Sequence, residues 1–126
     1  MSTGADGTAA VGSSAMDERA RRVGLNEAVF REVNERIRDV NHGIAELGDG
    51  RIHVVCECGE LSCHDQIGIE PAAYEEIRRN DRRFVVVPGH EVPDVETVVA
   101  VGDGWIAVEK HEGEPARLAA ETSPRS

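Results

Sequence analysis

From Asn26 to Leu47 apolar residues return at alternating steps of three and four, at Phe30, Val33, Ile37, Val40, Ile44 and Leu47. That period predicts an amphipathic helix. Asn26 offers an N-cap, Glu27 suits the positive end of the helix dipole, and Gly48-Asp49-Gly50 supplies a stop. Gly43 weakens the last turn by about 1 kcal/mol relative to Ala. The stripe is expected to cover a sheet of its own chain. The same spacing satisfies the a and d positions of nearly three heptads, so helix 26–47 is also a candidate homodimer surface.

The pattern then changes period. Ile52, Val54, Cys56 and Cys58 alternate with His53, Val55 and Glu57, which predicts a strand over 51–58 with the cysteines on its apolar face. Gly59 to Ser62 turns the chain, and 66–69 forms a short return strand. Pro71 suits the first position of a second helix that runs through Tyr74 and Ile77 to about Asn80. Phe84 to Val87 is a continuous apolar strand ended by Pro88-Gly89. Val95 to Val101 and Trp105 to Lys110 flank Gly102-Asp103-Gly104, a hairpin signal. The order αββαβββ with local strand neighbours predicts an α+β fold, a small, mostly antiparallel sheet with two packed helices. Residues 17–111 are expected to form one domain, between disordered tails over 1–16 and 112–126, where little can be buried.

Charge narrows the partners. Against 14 Lys and Arg stand 24 Asp and Glu, a net charge of −10 that repels a phosphate backbone. Two basic groups, Arg19/Arg21/Arg22 and Arg78/Arg79/Arg82/Arg83, are expected to be solvated, the second beside a helix C-terminus. Nucleic acid is therefore not the expected partner; another protein is. No run of 18 apolar residues and no basic-then-apolar leader occurs, so the expected location is the cytoplasm, with no membrane span.

Three cysteines in eight residues, in a reducing compartment, point to a metal or to thiol chemistry rather than to a disulfide framework. Thiolates hold Zn²⁺ at about 2.3 Å, so ligand sulfurs must lie within about 4 Å of one another. Cys56 and Cys58 point the same way from a strand end, and Cys63 returns after the bend at Gly59. One bend thus supplies three ligands to one zinc ion, and the fourth must come from elsewhere. His90, on the Pro88-Gly89-His90 turn, is the first choice, and His64 is the second although adjacency to Cys63 strains it. His53 faces away from Cys56, while His42 and His111 are expected to be exposed. Asp65, Glu57 or water are further ways to complete the set. The acidic neighbours Glu57, Glu60 and Asp65 raise a thiol pKa while tolerating a divalent cation.

These segments resemble a group of small bacterial proteins of uncharacterised function. Their shared features are matched here by the Asn-Glu-x3-Phe-Arg-Glu-x-Asn-Glu helix at 26–35, the Cys-x-Cys-x4-Cys loop at 56–63, Tyr74-Glu75, the Phe-Val-Val-x-Pro-Gly-His-Glu turn at 84–91 and Val108-Glu109-Lys110. The resemblance implies that His90 and Glu91 form a functional turn. It implies no activity, and His64 is not part of its pattern.

The expected function is a metal-stabilised intracellular interaction or regulatory module held by Cys56, Cys58, Cys63 and His90. A redox-responsive protein using the three cysteines is one alternative. A metal-dependent hydrolase with Glu91 as base is another, disfavoured because three thiolates around zinc usually close the site and few aromatics exist to build a pocket.

Overall fold

The computed structural model describes residues 3–41 and 50–125, with side chains at 18, 21–41 and 50–125. Along them run helix α1 (Thr3–Val40), strands β1 (Ile52–Val55) and β2 (Gln66–Ile69), helix α2 (Pro71–Arg78), strands β3 (Arg83–Val86), β4 (Glu96–Val101) and β5 (Ile106–Lys110), and helix α3 (Glu114–Glu121). Every strand pairing is antiparallel, so the class is α+β and the order αββαβββ holds, followed by a third helix. His42, Gly43, Ile44, Leu47 and the Gly48-Asp49 stop lie outside the described residues, as do the side chains of the expected tail 1–16.

The strands form two sheets where one was expected, β1-β2 and β3-β5-β4. The division has a local cause. The β1-β2 ladder ends at Val55 opposite Gln66, and the Cys56 N–H still donates to the Asp65 carbonyl at 3.1 Å. The next amide, Glu57 N–H, donates instead to Val85 O of β3 at 2.9 Å. The chain therefore changes partner between consecutive residues, and the two sheets meet at the cysteines. In the second sheet the Asp103-Gly104 tip joins β4 to β5, with Val101 opposite Ile106 and an irregularity between Val98 and Ala100.

One apolar cluster spans both sheets. Ile52, Val54, Cys56 and Cys58 enter it at the expected period of two, and Ile67, Tyr74, Phe84 and Val108 close it from the other elements. Glu57, expected to face away with His53, is instead fully buried. Pairing with β2 has ended by then, so the backbone is free to turn this side chain between α1, α2 and β3.

Helix α1 differs most from expectation. At about 100° per residue, Leu25, Val29, Val33 and Val40 share one face, and all four are exposed. The packed face is the opposite one, where Glu27, Ala28, Arg31 and Asn34 are buried. Phe30 and Ile37 lie half-buried on the flank. The apolar spacing identified a helix but not its inward side, because the inward side is chosen by hydrogen bonding. Asn34 Nδ2 donates to Val55 O at 2.8 Å, and Asn34 Oδ1 accepts from Val55 N–H at 2.8 Å. Arg31 lies over the Phe84 ring at 4.4 Å and donates to the carbonyls of Asp81 and Ala119 at 2.6 and 2.7 Å. Such bonds answer backbone groups that burial would otherwise leave unpaired.

The expected disordered tail 112–126 is corrected likewise. Glu114–Glu121 is helical, begins with Pro115 in its first turn, and buries Ala116 and Ala119. Its Leu118 packs where Gly24 of α1 lacks a side chain, since a Cβ there would stand 2.5 Å from Leu118 Cδ2. Beyond it Arg125 pairs with Glu35 and with Glu75, the latter at 3.0 Å. Small residues and an arginine tie the segment down, so its low hydrophobicity did not signal order.

Candidate metal centre

The connection between β1 and β2 carries all three cysteines. Gly59 turns it with φ +82°, and no side chain fits there: a Cβ would lie 2.8 Å from Val23 O and from Glu27 Cγ. Beyond the glycine, Cys63 N–H donates to Glu60 O at 3.0 Å and closes a tight turn that brings Cys63 back toward Cys56 and Cys58. The second sheet supplies the histidine. Past β3 the His90 N–H donates to Val87 O at 2.9 Å, and Glu91 Oε1 accepts the Gly89 N–H at 2.8 Å, which braces the Pro88-Gly89-His90 turn.

Cys56, Cys58, Cys63 and His90 each place a ligand atom within 4.8 Å of the others, near enough to bind a metal ion. His90 Nδ1 is 3.5 Å from Cys56 Sγ and 3.6 Å from Cys63 Sγ. Three sulfurs and one imidazole nitrogen fit a thiolate-loving ion in tetrahedral geometry, and a contraction of about 1 Å would bring the sulfurs to the spacing zinc needs. Cys56 and Cys58 are buried, while Cys63 and His90 are half-buried. All three cysteines are free thiols.

Backbone amides prepare the sulfurs for negative charge. The Val87 N–H donates to Cys56 Sγ at 3.2 Å, and Cys58 and Glu60 backbone groups bond the sulfurs of Cys56 and Cys58. Burial nevertheless dominates and pushes both thiols up from their ordinary range. The cause is chiefly desolvation, aided by the neighbouring sulfur, rather than the acidic neighbours anticipated from sequence. A thiol so raised is a poor redox nucleophile and becomes a good ligand only when a cation replaces its proton.

Glu57, between the two buried cysteines, anchors the loop on its other side. Arg78 Nη2 donates to both carboxylate oxygens at 2.9 and 3.1 Å, Asn34 Nδ2 donates at 2.7 Å and the Val85 N–H at 3.0 Å. Arg78 is thus buried, not solvated as its position in a basic group suggested. The sequence signal for this anchor was an acid flanked on both sides by residues of an apolar face. A second buried group lies nearby, where Lys110 Nζ donates to Glu27 at 2.8 Å and to Glu96 at 2.7 Å. Burial, with Glu96 and Glu57 adding, pushes Glu27 up to about 7 against the pull of Lys110, whose own pKa the two carboxylates raise.

The other candidates do not reach the cluster. His53 and His64 are exposed, and His111 is exposed beside Thr97. Asp65 faces the far side of His90 rather than the sulfurs, with Oδ2 3.6 Å from Nε2. An open cleft of about 340 Å³ runs past the cluster between Glu60, His64, Asp65 and His90. No described helix is long and apolar enough to cross a membrane. No protein-family model, curated protein or solved structure matches the chain.

Proposed function

We propose that this protein is a zinc-stabilised module of the cytoplasm that acts by binding another protein, with one ion held by Cys56, Cys58, Cys63 and His90. The observation that carries the reading is the meeting of four donors from two sheets within 4.8 Å. Four protein donors fill a tetrahedron, which suits a closed structural site and leaves no coordination position for a hydrolytic water. The burial of Cys56 and Cys58 weighs against a redox switch that uses them. Support for a protein partner is the outward row Leu25, Val29, Val33 and Val40 on α1, apolar side chains that the described fold leaves uncovered. The proposal extends to the small bacterial proteins that share the Cys-x-Cys-x4-Cys loop and the Pro-Gly-His-Glu turn, since loop and turn supply every donor.

Elemental analysis of protein purified without chelator tests the reading. One zinc per chain is expected, with loss of cooperative unfolding once a chelator removes it. Protein that contains no metal, takes up none on addition and still unfolds cooperatively overturns it.

A further inference from the structure

The ring of His90 has two nitrogens with different neighbours. Nδ1 faces the sulfurs of Cys56 and Cys63, while Nε2 faces Asp65 Oδ2 at 3.6 Å. Asp65 is bound to the cluster a second way, because its backbone carbonyl accepts the Cys56 N–H at 3.1 Å. One residue therefore braces a thiol ligand with its main chain and stands behind the imidazole with its carboxylate.

We propose that Asp65 is a positioning residue for the metal, one that selects the His90 tautomer with its proton on Nε2 and leaves the Nδ1 lone pair for the ion. This rests on the zinc reading above. A cation on Nδ1 makes the Nε2–H more acidic and a better donor, and the nearby carboxylate answers that charge. Asp65 is more than half exposed at its side chain, so it can approach the ring without disturbing the core. Glu60 and His64 line the same cleft, but no ion pair joins either of them to His90 among the described residues.

The test uses the full chain, and alanine at this position keeps the backbone carbonyl that holds Cys56. Zinc affinity is measured by competition with a chromophoric chelator for wild type, D65A and D65E. All three are expected to take up one ion, with D65A about 10- to 100-fold weaker and D65E recovering most of the loss. A second readout separates positioning from bulk: nitrogen–proton spectra of the zinc-loaded protein should show a protected Nε2–H on His90 in wild type and a rapidly exchanging one in D65A. Affinity within about twofold of wild type, with the proton equally protected, overturns the role of Asp65 and leaves the zinc reading standing. Wild-type protein that takes up no zinc overturns both.

Discussion

His90 Nδ1 lies 3.5 Å from Cys56 Sγ, although thirty-four positions separate the two residues in the chain. Cys56 follows the last residue of β1, and His90 follows the turn that ends β3. A contact between them spans the junction of the two sheets, and an ion held there would close a long loop at the place where the strand ladder changes partner. Closing long loops removes conformational freedom from the unfolded chain, and a small core gains most from such a staple.

The buried pair of Glu57 and Arg78, with side chains 0% and 2% exposed, makes the first prediction. Replacing Arg78 by Met leaves the Glu57 carboxylate desolvated with only Asn34 and the Val85 amide to answer it. Urea unfolding at neutral pH should show a loss of about 3 to 5 kcal/mol. The double variant E57Q/R78M should recover part of it, because it removes the buried charge and its amide oxygen keeps one of those two bonds, while its NH2 group stands where the other was accepted. A single variant that loses under about 1 kcal/mol contradicts this account.

Glu27 gives stability a pH dependence of unusual sign. Its pKa is raised from 4.5 in the unfolded chain to about 7 in the fold, so between those values the folded protein holds more protons. The stabilisation is complete below about pH 4.5 and is lost as pH rises through 7, by a few kcal/mol at most. Lys110, also raised, keeps its contribution throughout this window. The difference in unfolding free energy between wild type and E27Q, measured at fixed metal load, should shift steadily toward the variant from pH 5 to 8. A constant difference contradicts the assignment.

Helix α3 makes a prediction about truncation. Removing residues 112–126 takes away the Ala119 carbonyl and the Thr122 hydroxyl that accept from the buried Arg31 guanidinium. Burial and the nearby Arg78 already lower the Arg31 pKa to about 10. The truncated chain should lose at least about 1 to 3 kcal/mol of stability, the penalty for a buried donor without its partner. Unfolding that matches the full chain contradicts the packed role of α3.

Where burial follows apolar periodicity, the sequence was readable. Ile52, Val54, Cys56 and Cys58 lie inward at period two, Asp103-Gly104 turns a hairpin, and Pro71 opens α2. The cysteine loop was visible because its three thiols are close in sequence. His90 could be chosen because a turn after a strand brings it back. What stayed hidden follows hydrogen bonding instead. Glu57 and Arg78 go inward as a hydrogen-bonded ion pair, and Arg31 and Asn34 put the polar side of α1 inward because backbone carbonyls wait there. Periodicity assigns charged residues to the solvent, so it turned α1 the wrong way round. Ala116 and Ala119 carry too little hydrophobicity to announce α3.

X-ray absorption at the zinc edge of the loaded protein tests the central claim most directly. The account predicts three sulfurs at about 2.3 Å and one nitrogen at about 2.0 to 2.1 Å, with the nitrogen shell carrying imidazole scattering that disappears in H90A. A zinc shell of oxygen and nitrogen alone, or one unchanged by H90A, would contradict it.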